Sequence, residues 1–392
     1  MTARMLCLVS LTLLMACGND SSSTAPPPLT TTPPVTTDPV PVPVPVLSFT
    51  TVDTIAGQAG VRGSADGKGS QATFNYPAGL AATGAAGAKN GETLLYIAGL
   101  TENIRYAQVG YSDNPVGTAI GKGESGSVDG DATTARVRAP QGVAVGYGDD
   151  AYNAYAYWTE DDSCVVRTLT RYPLNGNRKA VTVAGQAYKC GAADGPAATA
   201  KFNRPDGIVA NTRTGEVFVA DTSNYTLRRI YGGAVTTVAG AAGQPGGSDG
   251  VGAAARFSAP RGLAMDRAEN LYLTDYTTVR KITPAGVVTT LAGKLNTVGY
   301  TDGPALDARF SRLAGIAIDE NGTVYVADSG NHVVRRITAS GVVSTVAGVQ
   351  SVAGNADGTI SAATFDTPTG LAYYNKQLFV SDSSSQTIRR IR

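Results

Sequence analysis

Histidine is nearly absent from this chain, which has 392 residues and a single histidine, His332. A metal site built from several histidines, or a pair of catalytic histidines, cannot be assembled from one such residue. The sequence also contains no Cys-x-x-Cys pair, no phosphate-binding loop and no catalytic-triad motif. We therefore predict a protein with no catalytic residues, no metal site and no cofactor.

Neither sign of charge is in excess. Only 16% of the residues are charged, with 32 Lys and Arg against 31 Asp and Glu. A nucleic-acid partner requires a basic excess that neutralises phosphates. We therefore predict no nucleic-acid partner.

The first 16 residues have the features of a signal peptide. One charge, Arg4, precedes an apolar run that is too short to span a membrane as a permanent helix. The run ends in Leu14-Met15-Ala16-Cys17, which resembles the bacterial lipobox. This resemblance implies that Cys17 becomes the lipidated first residue, and Gly18 after it favours the outer membrane. An ordinary signal peptide with an incidental cysteine is the alternative.

The next segment, residues 17–46, has the composition of a tether. Ser, Thr, Pro and Val dominate it, and it ends in alternating Pro and Val that favour an extended polyproline conformation. Such a segment cannot bury a core. The sequence therefore predicts a signal peptide (1–16), a lipidated disordered tether (17–46) and one folded domain (47–392) in the cell envelope, in the periplasm or on the surface.

A strand-and-turn pattern repeats along the folded domain. Residues 324–348 read VYVADSGNHVVRRITASGVVSTVAG, and related text occurs at 217–240, 271–293 and 378–392. Val, Ile, Tyr and Thr fill the predicted strands, and Gly, Asn, Asp and Ser fill the breaks. An Asp-Gly pair marks each repeat, at Asp66, Asp129, Asp194, Asp249, Asp302 and Asp357. A long-period repeat of this kind decides the fold.

Six units of four short strands, each followed by a long crossing loop, predict an all-β fold, the six-bladed β-propeller. The last repeat lacks its fourth strand, and residues 51–57 supply an isolated strand of that type. We expect 51–57 to pair with 386–391 and close the ring. A linear solenoid would instead require polar caps at its two ends.

The repeated text resembles the NHL repeat family. The matching pattern is G-x-L/V-Y-V-A-D-x-x-N-H-x-V/I-R-R-I…G-x-V-x-T-V-A-G, which residues 324–348 follow closely. In the second repeat, Tyr157-Trp158-Thr159-Glu160 also looks like the related YWTD type of propeller. The resemblance implies a propeller that serves as a binding platform. Relatives that are lyases depend on several histidines, whereas a calcium-dependent lactonase remains an alternative.

An acidic residue recurs at the end of one strand of each repeat, and an arginine recurs on the next strand. The acids are Glu160, Asp221, Asp275, Asp328 and Asp382, and the arginines are Arg167, Arg228, Arg280, Arg335 and Arg389; the first repeat has Gly99 where the others have the acid. Recurrence once per repeat favours turn capping and ion pairing. A calcium site made of these carboxylates, or an arginine ring that binds an anion, is the alternative.

Two further residue types have predicted structural roles. Cys164 and Cys190 fall in two loops that share one face of a propeller, and an exported protein can oxidise them to a disulfide. Two unpaired cysteines are the alternative. His332 occupies a repeat position that Cys164, Tyr225 and Gln386 hold in other repeats, so we expect a structural role for it.

The first two repeats are longer than the others because of additions at 83–91, 110–117, 146–153 and 171–178. By strand order these four loops emerge on the face opposite the predicted disulfide. They carry residue types that are enriched at binding hot spots, namely Tyr111, Tyr147, Tyr152, Tyr155, Arg171 and Tyr172. We interpret this face as a partner surface, with tolerated loop drift as the alternative.

Together these observations predict a monomeric, non-catalytic propeller lipoprotein anchored to the membrane by its lipid. It would serve as a binding or scaffolding module for an envelope or extracellular protein, or for a peptide or glycan ligand. The alternative is a metal-dependent propeller enzyme of the lactonase or lyase type, using calcium.

Overall fold

The computed structural model describes residues 47–84, 92–147, 154–170 and 178–392, with the backbone alone for Tyr147, Ala154 and Tyr155. These residues form six antiparallel sheets arranged as the blades of a propeller. The six-bladed all-β fold predicted from the repeat is therefore confirmed. The helices in this part of the chain are three short 3-10 turns, Thr222–Asn224, Gly252–Ala254 and Ser329–Asn331. None of them is long and apolar enough to cross a membrane.

Each blade runs outward from a strand that borders the central axis. The inner strands of blades 1 to 6 are Pro77–Gly84, Pro140–Tyr147, Pro205–Ala210, Pro260–Met265, Leu313–Ile318 and Pro368–Tyr374. The second strands are Thr93–Gly99, Ala154–Glu160, Val217–Asp221, Leu271–Asp275, Val324–Asp328 and Gln377–Asp382.

The outer half of each blade contains two more strands. The third strands are Ile104–Val109, Val165–Thr170, Thr226–Tyr231, Thr278–Ile282, Val333–Ile337 and Thr387–Ile391. The fourth strands are Val116–Ile120, Lys179–Ala184, Ala234–Gly240, Val287–Gly293, Val342–Ala347 and Thr51–Gly57.

Blades 2 to 6 contain a fifth strand that the sequence pattern did not predict. It has two residues, begins at the glycine of the Asp-Gly pair and pairs with the fourth strand; its copies are Gly130–Asp131, Gly195–Pro196, Gly250–Val251, Gly303–Pro304 and Gly358–Thr359. These glycines have φ between 120° and 156°, a conformation that other residues rarely adopt. They turn the crossing loop back along the blade and cover part of its outer edge.

The ring closes as the sequence predicts. Thr51–Gly57 lies antiparallel to Thr387–Ile391, in a register that runs from Val52 opposite Ile391 to Gly57 opposite Thr387. The backbone N–H of Thr50 also donates to the carbonyl of Arg392 at 2.7 Å. The last blade therefore takes three strands from one end of the chain and one from the other.

The cores lie between neighbouring blades. A phenylalanine from the crossing loop is buried at five of these contacts; the copies are Phe74, Phe202, Phe257, Phe310 and Phe365. Blade 2 has Val137 at the corresponding position, and there Trp158 of the second strand supplies the aromatic ring.

The two faces of the propeller differ in the loops that they carry. The turn face carries the turns between second and third strands and the crossing loops, and the loop face carries the other connections.

We expect the N-terminal strand to be essential for cooperative folding. A chain that begins at residue 58 loses the buried side chains of Phe49, Val52 and Ile55, each worth about 1.5–3 kcal/mol, and leaves the outer edge of the third strand of blade 6 without a partner. Urea unfolding should show a loss of at least about 4 kcal/mol, or no cooperative transition. A chain that begins at residue 47 is the control, and equal stability of the two chains would contradict closure by this strand.

Candidate functional site

The repeated acids and arginines form buried ion pairs at the ends of the second strands. The shortest arginine-to-acid distances are 2.7 Å for Arg167–Glu160, 2.7 Å for Arg228–Asp221, 3.3 Å for Arg280–Asp275, 3.0 Å for Arg335–Asp328 and 3.0 Å for Arg389–Asp382. All ten side chains are inaccessible or nearly so. Burial raises the pKa of Asp221 and Asp328 to about 6, against the opposing effects of their hydrogen bonds and arginines.

Each arginine also binds the aspartate of the Asp-Gly pair in its own blade. In blade 5, Arg335 contacts Asp302 at 2.5 Å, and the same carboxylate accepts from the N–H of Thr345 on the fourth strand. The guanidinium lies over Phe310, with 5.0 Å from its carbon to the ring centroid. The arginine thus connects the second strand, the crossing loop and the blade core.

The acid also positions the end of the crossing loop, just before the inner strand of its own blade. The second carboxylate oxygen of Asp328 accepts from the backbone N–H of Ser311 at 2.7 Å, just before the inner strand. Asp221 accepts from Asn203 and Asp382 accepts from Asp366 in the same way. In blades 3 to 6 the acid of the ion pair therefore holds the segment from which the inner strand enters the central channel.

Blade 1 differs because Gly99 replaces the acid. A Cβ atom at Gly99 would lie 2.8 Å from the carbonyl oxygen of Tyr76, so no side chain fits there. Arg105 keeps its contact with Asp66 at 2.6 Å, and burial lowers the pKa of this arginine. A backbone hydrogen bond of 2.8 Å from Leu100 to Asn75 holds the loop instead.

The predicted disulfide is present on the turn face. Cys164 and Cys190 are bonded, with their Cα atoms 5.3 Å apart. Cys164 is buried in the turn between the second and third strands of blade 2, and Cys190 is exposed in the crossing loop that follows this blade. The bond ties these two loops together, as the sequence analysis expects.

His332 lies in a contact between blades 5 and 6. Its Nδ1 atom accepts a hydrogen bond from the backbone N–H of Thr367 at 3.2 Å and lies 3.7 Å from the Asp366 carboxylate. Glu102 and Gln386, at the same position of their blades, accept from backbone N–H groups of the following blade in the same way. The structure thus places the histidine among side chains that join neighbouring blades.

Six glycines, one per inner strand, form a ring around the central axis. They are Gly79, Gly142, Gly207, Gly262, Gly315 and Gly370, and a Cβ atom on any of them would lie 1.9–2.4 Å from a carbonyl oxygen of the next blade. A β-bulge occurs at each of these glycines and the residue before it. A bulge can re-aim a side chain, and here it occurs where each strand enters the channel.

A cavity of about 110 Å³ lies on the axis at this ring. Its rim, towards the turn face, is formed by the residues before the glycines; they are Ala78, Gln141, Asp206, Arg261, Ala314 and Thr369. Its deeper wall is formed by the residues after the glycines; they are Leu80, Val143, Ile208, Leu263, Ile316 and Leu371. We call this cavity with its rim the channel mouth.

One side of the rim carries an ion pair of opposite charges. The Asp206 carboxylate lies 3.8 Å from Nε of Arg261, and the two side chains are 31% and 43% exposed. This separation is too long for a hydrogen bond. No described residue donates a hydrogen bond to the Asp206 carboxylate, and burial raises its pKa, with Arg261 acting in the opposite direction.

The surrounding turn face of blades 2 and 3 is also charged, but its groups are paired. Arg204 binds Asp161 through two hydrogen bonds of 3.0 and 3.1 Å, and Arg138 lies 3.1 Å from Asp162. Each of these four residues therefore already has a partner of opposite charge. Asp206 and Arg261 are therefore the charged residues of the rim that retain capacity for a ligand.

Sequence reasoning missed the rim residues. The signal that could have found them is the position before the glycine of the inner strand, which varies while the glycine repeats in all six blades and a proline precedes it in five. It reads Pro-Asp-Gly at 205–207 and Pro-Arg-Gly at 260–262. A variable charged residue inside a repeated frame indicates a position that does not build the blade.

None of the predicted partner residues that the structure describes lines the channel mouth. Tyr111 is half-buried in the loop between the third and fourth strands of blade 1, and the backbones of Tyr147 and Tyr155 belong to the paired inner and second strands of blade 2. Cys17, Tyr152, Arg171 and Tyr172 lie outside the described residues. The role of the five tyrosines and Arg171 as a partner surface stays a prediction.

Comparison with known proteins adds sequence evidence to this architecture. Residues 310–337 match the model of the NHL repeat. The chain is an NHL-repeat β-propeller. It is 30% identical over 303 residues to the Arabidopsis thaliana chloroplastic protein Suppressor of Quenching 1, and 28% identical over 302 residues to bovine NHL repeat-containing protein 2.

These matches cover 72% and 70% of this NHL-repeat propeller, but it spans only 26% and 40% of those two relatives. Solved structures share the fold. An auxiliary nutrient binding protein from Bacteroides thetaiotaomicron superposes with a TM-score of 0.63 at 16% identity, over 88% of this chain and 76% of that one. A similar protein from Bacteroides ovatus gives 0.62 at 14% identity, over 88% and 77%.

We expect the buried arginine to be far more important for stability than its neighbour on the same strand. Arg335→Leu leaves Asp328 buried without its ion pair, which should cost about 3–5 kcal/mol in urea unfolding. The matched control is Arg336→Leu, since Arg336 is half-buried and donates to Ser344. That change should cost about 1 kcal/mol. Equal losses for the two variants would contradict the role assigned to the ion pair.

The structure predicts that glutamine can replace His332. His332→Ala removes the acceptor for the Thr367 N–H and should cost about 1 kcal/mol of stability. His332→Gln should retain most of it, because Gln386 performs the same function between blades 6 and 1. Thermal unfolding of both variants measures the difference, and an alanine variant as stable as the glutamine variant would disprove the inter-blade role.

Proposed function

We propose that this protein is a non-catalytic binding module that takes a small polar ligand at the channel mouth. The observation that carries the proposal is the Asp206–Arg261 pair, which lines the axial cavity without a hydrogen bond between its members. Small-molecule sites in proteins combine an apolar pocket with a few convergent polar groups. The channel mouth has this composition, with an aliphatic wall and one pair of opposite charges.

The positions of the other ionisable groups support binding without catalysis. His332 accepts a hydrogen bond between blades, and the repeated acids are buried against arginines. Among the described residues, no group of three His, Cys, Asp or Glu is arranged to hold a metal ion. The names of the two Bacteroides neighbours agree with ligand binding, although their likeness to this chain is one of fold.

The proposal extends to the place where the protein acts. We infer that Cys17 carries the lipid and that residues 17–46 hold the propeller away from a bacterial membrane, because the sequence there matches a lipobox followed by a proline-rich tether. Labelled palmitate should be incorporated into the protein but not into the Cys17→Ser variant. This variant should also be absent from the membrane fraction. Continued membrane association of that variant would contradict the anchor.

The binding proposal is tested by ligand-observed NMR on the purified full chain with pools of amino acids, sugars, nucleosides and short peptides. A compound that binds should lose at least tenfold in affinity with Asp206→Asn combined with Arg261→Gln. The matched control is Glu269→Gln combined with Arg213→Gln, which removes a half-exposed pair on the loop face. Binding that persists in the first variant would place the site elsewhere, and hydrolysis of a lactone stimulated by calcium would favour an enzyme.

A further inference from the structure

The wall of the channel mouth selects for an apolar group of limited size. Six aliphatic side chains border the cavity of about 110 Å³ below its rim, and each is 5–7% exposed. An apolar cavity of roughly 150 Å³ accommodates benzene in another protein. The smaller cavity here suits a branched aliphatic group of about three or four carbon atoms.

The rim selects for a second feature of the ligand. Asp206 has no donor among the described residues and requires a cation or hydroxyl groups, and Arg261 at 3.8 Å from it requires an acceptor. A ligand with two charges of the same sign would meet repulsion from one of these groups. A ligand that carries an ammonium and a carboxylate on the same carbon atom satisfies both at once.

The other residues of the rim leave space for a ligand to enter the cavity. Ala78 and Ala314 have the smallest side chains of the rim, and the Thr369 hydroxyl is already donated to the Pro77 carbonyl at 3.1 Å. The charged groups lie on blades 3 and 4, so the polar contacts are confined to one side. A ligand would therefore approach along the axis with its charged head turned towards that side.

A sugar is the main competing ligand, since paired hydroxyls can also bind Asp and Arg. Sugars in protein sites are commonly stacked on an aromatic ring, and no aromatic residue lines the cavity in the described part of the chain. The nearby Tyr76 has its ring covered by Arg62, 4.4 Å from the centroid. These features disfavour a sugar ring at the channel mouth.

We infer that the ligand is a free α-amino acid with a branched aliphatic side chain, such as leucine or valine. Its ammonium would bind Asp206, its carboxylate would bind Arg261, and its side chain would enter the aliphatic cavity. This inference rests on the proposed ligand-binding function and names the chemical class that the function acts on.

The test is a titration calorimetry series on the full chain with L-leucine and three analogues. Leucinamide lacks the carboxylate, 4-methylpentanoate lacks the ammonium, and glycine lacks the side chain. Each analogue should bind at least tenfold more weakly than leucine. Leucinamide should bind to Arg261→Gln as strongly as leucine does, because this variant lacks the partner of the missing carboxylate. For the same reason 4-methylpentanoate should bind to Asp206→Asn as strongly as leucine does, since the partner of the missing ammonium is absent.

Thermal unfolding of both variants verifies that they are folded, and Arg213→Gln on the loop face should bind leucine as the unmodified chain does. Leucine binding that is insensitive to both substitutions overturns the inference. A sugar or nucleoside that binds in place of leucine, with dependence on Asp206 and Arg261, also overturns it but leaves the proposed function standing. No binding by any compound of the pools overturns both.

Discussion

The buried arginine of the third strand is the interaction on which the other features of each blade depend. In blade 5, Arg335 lies between Asp328 and Asp302 and over the ring of Phe310. A buried guanidinium is costly unless its charge and its donors are satisfied. The buried arginine is therefore satisfied only when the second strand, the Asp-Gly loop and the aromatic core hold fixed positions relative to one another. Five blades repeat this arrangement, and blade 1 retains its outer half around Arg105.

The channel mouth is a consequence of this frame. In blades 3 to 6 the acid that binds the arginine also accepts a hydrogen bond from the backbone just before the inner strand and so fixes where that strand begins. The glycine that follows allows the backbones of neighbouring blades to meet, because no Cβ atom fits there. The residue before the glycine takes part in these contacts through its backbone carbonyl, and in blade 6 the Thr369 hydroxyl also donates to the carbonyl of Pro77 in blade 1. This position can therefore hold a different side chain in each blade. It is Asp206 in blade 3 and Arg261 in blade 4.

The same division explains how this chain uses its charged and polar residues. Groups that repeat, such as the acid and arginine pairs, are buried in the frame and unavailable to a ligand. The role of a polar residue at a variable position depends on where that position lies in the propeller. His332, Glu102 and Gln386 join one blade to the next, and the rim residues border the axis. A propeller with few histidines can thus present a polar site without the groups that catalysis commonly requires.

The number of blades, the strand order, the ring closure and the disulfide all followed from the sequence, because a repeat of local strand and turn signals specifies them directly. The fifth strand did not, since a glycine and the single residue after it carry no strand signal. The rim was also missed: Asp206 and Arg261 are 55 residues apart in the sequence. Only radial closure places consecutive inner strands side by side around an axis, so the pairing of these charges exists in the tertiary structure alone.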